Sequence, residues 1–215
     1  MYLAKIKNPG SSITHFIGFI LAIFGTPILL MKSVFNHTTV TKSISFSIFM
    51  ISMILLYGAS TAYHTFNISE KVNRTLRKID HMMIFLLIAG TYTPFCLLVF
   101  DGRKLLFAVY MIAFIGILIN ALWITCPKWF SSSIYIAMGW VCLFALPELY
   151  SSLAFGAFLW LLIGGILYTI GGVIYALKLP LFDSIHEYFG AHEIFHVFVM
   201  AGSFCHYMCV FLYLA

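Results

Sequence analysis

The sequence predicts an all-α membrane protein in which residues 1–215 form a single domain, a bundle of seven transmembrane helices. Apolar residues make up 62% of the chain, charged residues only 9%, and the mean hydropathy is +1.02. A soluble domain has about 25% charged residues. Seven apolar runs, separated by charged or proline-bearing stretches, are each long enough to cross the hydrocarbon core of a bilayer. This composition argues strongly against a soluble enzyme, a nucleic-acid-binding protein or a disordered chain.

The predicted spans end where charged residues interrupt the apolar runs. They cover residues 12–32, 43–65, 79–100, 104–125, 131–148, 153–177 and 190–213. The sixth span carries Gly164, Gly165, Gly171 and Gly172, and small residues let helices approach closely in lipid. Pro94 predicts a kink in the third span.

Lysine and arginine residues divide unevenly between the two ends of these spans. Eight lie on the side of the N-terminus and four on the opposite side. Cytoplasmic loops carry the excess of these residues, so we expect a cytoplasmic N-terminus and a C-terminus outside. This excess of lysine and arginine in loops accounts for the net charge of +5. The positive charge therefore does not indicate nucleic acid as a partner.

Polar and ionisable residues gather at one depth of the predicted bundle. Ionisable groups inside a span are costly and usually face the bundle interior. In the predicted orientation, span one begins, span two ends, and spans three and seven begin on the cytoplasmic side. The residues that share this depth are His15, Ser60, His64, Asp80, His192 and His196. Because the orientation rests on loop charge alone, their coincidence is independent evidence for a site.

The spacing of these residues indicates metal chemistry. His192 and His196 are four residues apart, so one helix can offer both imidazoles to one ion. With His64 they would make three neutral ligands and leave one open position, which is typical of catalytic Zn²⁺ sites. Asp80 is predicted to hold the water and accept its proton. Ser60, one turn from His64, would orient that water or stabilise an oxyanion.

The remaining histidines are not predicted to be metal ligands. His15 either orients a metal ligand from span one or is an interfacial residue. His81 points about 100° away from Asp80 on the helix and is expected to pack. His206 lies about 15 Å deeper than His196 at 1.5 Å per residue, too far for the same ion. Two further histidines fall in loops, His37 and His186.

Three other classes of protein share part of this pattern. His192 to His196 reads as H-E-x-x-H, in which the glutamate of zinc peptidases is the general base. An intramembrane metalloprotease is therefore an alternative, ranked lower because the chain lacks the N-x-x-P and L-D-G elements of such enzymes. A retinal pump needs a lysine in span seven, which has none. A haem bundle with two histidine ligands would leave Asp80 unexplained.

Taken together, the motifs resemble those of the haemolysin III family, within the progestin and adipoQ receptor family, whose superfamily includes alkaline ceramidases. The matching segments are Ser12-Ile13-Thr14-His15 with Gly18, Ser60-x-x-x-His64, Asp80-His81, Ala89 to Phe95, the glycines and tyrosines of span six, and His192-x-x-x-His196. The chain departs from the family before span one, where it has Asn8 and Ser11 in place of the frequent glutamate and asparagine.

This resemblance implies zinc held by His64, His192 and His196, with Asp80 near the water at the zinc and Ser60 one turn before the first ligand. It also implies lipid chemistry, since superfamily relatives hydrolyse lipid amides and the bacterial branch is associated with haemolysis and membrane-lipid homeostasis. We therefore expect a zinc-dependent hydrolase of a lipid amide or ester in a bacterial plasma membrane, with a membrane lipid as substrate or ligand. The alternative is a non-enzymatic receptor-like sensor or a pore-forming haemolysin with structural zinc.

Overall fold

The computed structural model describes residues 6–123, 128–177 and 188–215. All regular elements within these ranges are helical, and seven spans are long and apolar enough to cross a membrane, which confirms the predicted fold class. The helices are α1 (Pro9–Phe35), α2 (Val40–Thr65), α3 (Glu70–Leu98), α4 (Arg103–Leu122), α5 (Lys128–Trp140), α6 (Leu146–Ser152), α7 (Phe155–Leu177) and α8 (Ala191–Tyr213). A 3₁₀ turn over Val141–Ala145 joins α5 to α6, and the three pieces form the fifth span.

Helix α3 begins well before the apolar run that predicted it, at Glu70 rather than at residue 79. The hydroxyl oxygen of Ser69 accepts a hydrogen bond from the backbone N–H of Val72 and so caps the helix. Glu70 pairs with Arg74 one turn later. Hydropathy marks where the hydrocarbon begins, whereas capping and polar side-chain pairs extend a helix beyond it.

The fifth span is broken, although the sequence predicted one continuous helix over 131–148. The hydroxyl of Tyr92 on α3 lies at the break, where it donates to the carbonyl oxygens of Met138 (3.0 Å) and Gly139 (2.7 Å). It also accepts the backbone N–H of Cys142 at 2.8 Å. Inside a membrane, backbone groups released by a helix break need a partner within the protein. Tyr92 supplies it.

The glycines of α7 allow close contact with α8, as the sequence predicted. A Cβ atom added to Gly164 would lie 2.4 Å from the His206 ring, and one added to Gly171 would lie 2.9 Å from Cβ of Phe198. At Gly165, by contrast, no described atom lies within 4 Å of the added carbon. Two of these glycines are therefore packing positions.

Six spans form a closed ring around a cavity. Neighbouring pairs in the ring are α1–α2, α2–α3, α3–α5, α5–α7, α7–α8 and α8–α1, while α4 packs mainly against the outside of α3. The enclosed cavity has a volume of about 200 Å³. Its walls are largely apolar side chains from α2, α3, α5, α7 and α8, and the end lined by His15, Ser60, Asp80, His192 and His196 is called the polar end below. This architecture places that polar end inside the bundle.

Replacement of Gly164 by alanine tests the packing of α7 on α8. We expect Gly164→Ala to destabilise the protein by about 1–3 kcal/mol, because the methyl group overlaps the His206 ring. Gly165→Ala is the matched control and should be neutral or slightly stabilising, since its methyl group meets open space. The thermal midpoint of each variant in detergent measures the effect, and equal midpoints would contradict this account of the helix contact.

Candidate metal centre

Three histidines from two helix ends come together at the polar end of the cavity. His64 lies in the last turn of α2, and His192 and His196 lie in the first two turns of α8. One ring nitrogen from each lies within 4.8 Å of the other two. The Nε2 atoms of His64 and His192 are 3.3 Å apart. These three residues could hold a metal ion, and they are the ones that the sequence predicted.

Thr14 on α1 orients the ring of His196. Its hydroxyl lies 3.0 Å from two carbonyl oxygens, those of Gly10 and Ser11, and 3.1 Å from Nδ1 of His196. Because a carbonyl only accepts, the single hydroxyl proton goes to one of them, and Oγ1 is left to accept the Nδ1–H of His196. The lone pair of this imidazole is then on Nε2, the form that binds metal.

Asn8, just before α1, pairs with the second ligand. Its side-chain amide lies 3.0 Å from Nδ1 of His64, and its backbone N–H donates to the His64 carbonyl oxygen at 2.9 Å. When Nε2 of a histidine binds metal, the other ring nitrogen usually carries the proton and donates it. The Asn8 atom in contact is the amide nitrogen, and a 180° rotation of the amide group brings its oxygen to the same place as the acceptor. The segment where the sequence departs from the family pattern is therefore in direct contact with the candidate ligands.

His15 contacts the site through its ring face. It stacks on His196 with the ring centroids 3.5 Å apart and the planes 8° from parallel, and its other side meets the edge of Tyr57. Its side chain is buried, and neither ring nitrogen has a hydrogen-bond partner among the described residues. The predicted support of a ligand by His15 thus takes the form of stacking rather than a hydrogen bond.

Asp80 and Ser60 line the same cavity as His192 and His196. Both are buried, and the Ser60 side chain lies beside the Asp80 carboxyl group. The Ser60 hydroxyl makes no hydrogen bond of normal geometry with any described residue. Four of the residues that the sequence proposed for chemistry thus line one cavity, and His64 adjoins them through His192.

Two cations lie near the Asp80 carboxyl group, Lys7 and Arg77. The Lys7 ammonium sits over the Tyr63 ring, 3.7 Å from its centroid. Burial and the nearby Arg77 guanidinium lower the pKa of Lys7, and Asp80 opposes that shift. Neither cation is among the described residues that line the cavity.

Glu193 has a structural position. One of its carboxylate oxygens accepts the hydroxyl of Ser11, and the other accepts the backbone N–H of Gly190 at 2.9 Å. The side chain thereby caps the start of α8 and ties it to α1. It is not among the described residues that line the cavity. These contacts disfavour the metalloprotease alternative, which requires Glu193 to face the metal.

Histidines outside the three-residue cluster differ in their surroundings. His81, expected to be a packing or interface residue, lines the cavity, and its carbonyl oxygen accepts the Tyr135 hydroxyl of α5 at 3.2 Å. His206 also lines the cavity, and its Nε2 pairs with the Leu161 carbonyl oxygen at 3.1 Å, apart from the cluster as predicted. His37 is exposed in the turn between α1 and α2, and His186 lies outside the described residues.

Four residues of the site were not singled out for a role by sequence reasoning. They are Asn8, Thr14, Ser132 and Tyr175. Ser132 lines the cavity from α5, and Tyr175 lines it from α7 with its ring 5.7 Å from that of His192. All four lie near the end of a span on the N-terminal side of the bundle. The comparison of depths in the predicted spans would have found them if it had included neutral polar residues as well as ionisable ones.

The fold and the site define a multi-pass cell-membrane protein with a three-histidine cluster at one end of an internal cavity. Residues 3–207 match the family model described as haemolysin-III related, and the chain belongs to that family. It is 37% identical over 208 residues to the Hemolysin-3 homolog of Bacillus subtilis (strain 168), covering 94% of this chain and 92% of that protein. It is 36% identical over 207 residues to Hemolysin-3 of Bacillus cereus, covering 94% and 90%.

A more distant relative lies outside bacteria. The Progestin and adipoQ receptor-like protein 1 of Caenorhabditis elegans is 28% identical over 221 residues, which cover 92% of this chain and 50% of the receptor. The similarity therefore spans the helical bundle and extends to the receptor branch that the motifs resemble.

Loss of the Thr14 hydroxyl tests the orientation of His196. We expect Thr14→Val to weaken metal binding roughly 10- to 100-fold, because the ring loses the acceptor that holds its proton on Nδ1. Thr26→Val is the control, since Thr26 lies on the same helix and its hydroxyl donates to the carbonyl of Ala22. Competition with a chelator of known affinity gives both constants, and equal affinities in the two variants would refute the assigned role.

Proposed function

We propose that this protein is a zinc-dependent intramembrane hydrolase of a lipid amide or ester. The observation that carries the proposal is the convergence of His64, His192 and His196, two of which line a largely apolar cavity together with Asp80. A lipid acyl chain fits such walls, whereas a peptide backbone would leave its polar groups unpaired there.

The donor set fits zinc. Two nitrogen ligands on a tetrahedral zinc ion, each at about 2.0–2.1 Å, lie about 3.3 Å apart. The Nε2 atoms of His64 and His192 have that separation, 3.3 Å. Thr14 and Asn8 occupy the outer ring nitrogens of His196 and His64, so the inner nitrogens are directed toward one another.

The residues around the cluster supply the acid–base steps. His64, His192 and His196 would hold the zinc, which would supply a water molecule with its pKa lowered to about 7 and a Lewis acid for a carbonyl group. The Asp80 carboxylate accepts the proton of the attacking water at one of its oxygens and then delivers it to the departing amine or alcohol. The Ser60 hydroxyl lies beside the Asp80 carboxyl group without a hydrogen bond of normal geometry, and in this proposal it donates to the carbonyl oxygen as its charge grows.

A second candidate is favoured by the names of the relatives. Two of them are called Hemolysin-3, and a third is named a receptor. In that case the protein is a sensor or a pore, and the metal holds α2 to α8. Leakage from protein-containing liposomes that persists unchanged in His192→Ala would favour the pore over the hydrolase.

Metal content is the first measurement. Protein purified in detergent should contain about one zinc per chain by mass spectrometry, and the double variant His192→Ala, His196→Ala should lose it, because a single imidazole is left. The double variant must keep its elution volume and helical circular dichroism. A well-folded wild type without bound metal, even after zinc is supplied, would remove the hydrolase proposal.

Asp80→Asn separates catalysis from a structural role of zinc. We expect the variant to bind zinc normally and to lose roughly 100- to 10,000-fold in hydrolysis rate, because the proton acceptor is gone. Asp101→Asn is the control, since Asp101 is exposed and pairs with Arg103 at the opposite end of the bundle. Release of free fatty acid from N-acyl lipids in vesicles, followed by mass spectrometry, gives the rates. Undiminished hydrolysis by Asp80→Asn would contradict the mechanism.

A further inference from the structure

The Ser132 hydroxyl differs from most hydroxyls in these helices. Serine and threonine inside a helix commonly donate to the carbonyl three or four residues earlier. Eleven described helical residues do so, and the neighbouring Ser133 is one of them, with its hydroxyl 2.8 Å from the Trp129 carbonyl oxygen. Ser132 is 1% exposed, yet its Oγ has no hydrogen-bond partner within the described chain. Ser60, in the candidate site, is in the same situation.

A buried hydroxyl without a partner is unfavourable, so such a group in a native protein calls for an explanation. Ser132 lines the cavity that Asp80 and His192 also line. A molecule that enters the cavity is therefore the partner that the protein itself does not provide.

The packing of α5 on α3 sets the level of Ser132 in the bundle. Tyr135 lies three residues further along the same face of α5, and its hydroxyl donates to the His81 carbonyl oxygen at 3.2 Å. His81 directly follows Asp80. Ser132 therefore lies within one helical turn of the point where α5 contacts α3 at the site. In the ring of helices, α5 stands across the cavity from α1, α2 and α8, which carry the histidine cluster and its partners.

We propose that Ser132 forms a subsite for a hydroxyl group on the polar head of the lipid, across the cavity from the metal ligands. A neutral group is indicated on this wall, because Lys7 and Arg77, the cations near Asp80, are not among the described residues that line the cavity. A phosphate or carboxylate at Ser132 would be buried without a counter-charge from this wall. A lipid hydroxyl can donate to Oγ and accept from it, and so satisfies both functions of the serine.

This inference deepens the proposed function, since it specifies the class of lipid amide or ester, namely one that carries a headgroup hydroxyl. It can nevertheless be tested by binding alone. Two probes differ by one hydroxyl group: N-palmitoylethanolamine and N-palmitoylethylamine. Zinc-loaded protein in detergent is titrated with each, and the apparent dissociation constant is taken from the shift of the thermal midpoint with lipid concentration.

We expect the wild type to bind the ethanolamide about fivefold to tenfold more tightly than the ethylamide, which corresponds to one net hydrogen bond. In Ser132→Ala the ratio should fall to about one, through weaker binding of the ethanolamide and unchanged binding of the ethylamide. Ser133→Ala is the matched control and should keep the wild-type ratio, because that hydroxyl is already bonded within its own helix and its side chain is exposed.

Three results would overturn the subsite: an unchanged ratio in Ser132→Ala, no preference in the wild type, or no binding of either lipid. An unchanged ratio or absent preference would mean that a water molecule alone satisfies Ser132. The hydrolase proposal is tested separately, by measuring fatty acid release in the same samples. Preference without release would reject the hydrolase and retain the subsite, whereas release without preference would reject the subsite alone.

Discussion

The first turn of α1 holds the end of α2 and the start of α8 in one place, and the candidate site depends on that connection. Asn8 binds His64 through both its backbone and its side chain. Ser11 donates to Glu193, and Thr14 pairs with His196. Polar groups inside a membrane protein have to be satisfied by the protein itself. The hydrogen bonds that satisfy this segment are thus the same ones that bring three imidazoles together.

The ring of helices surrounds a cavity that has largely apolar walls. Gly164 and Gly171 allow close contact of α7 with α8, and the Tyr92 hydroxyl bonds to the backbone groups at the break between α5 and α6. The cavity inside is lined mainly by apolar side chains, and His192, His196, Asp80 and Ser60 lie together on its wall. A lipid could place its acyl chain along the apolar walls while its head lies between the histidine cluster and Ser132.

Much of the fold and of the site follows from local features of the chain. The seven apolar runs predicted seven spans, and the structure has them. The i, i+4 spacing of His192 and His196, combined with the depth of His64, identified the cluster that the structure assembles. The ends of α3 and the break in the fifth span were not predicted. Capping hydrogen bonds and a tyrosine from another helix determine them, and hydropathy carries no information about either.

The sequence by itself determined which residues are buried in lipid and at which depth each polar side chain lies, because hydrophobic length and charge distribution act locally along the chain. Only the tertiary structure decided which of those side chains face one another. Glu193 lies between two candidate ligands, yet Ser11 and Gly190 hold it away from them. His81 faces the cavity, and Ser132 is left without a partner, because α5 contacts α3 at that level. Which neighbour a side chain faces depends on how the helices pack against one another, and the sequence of a single span does not contain that information.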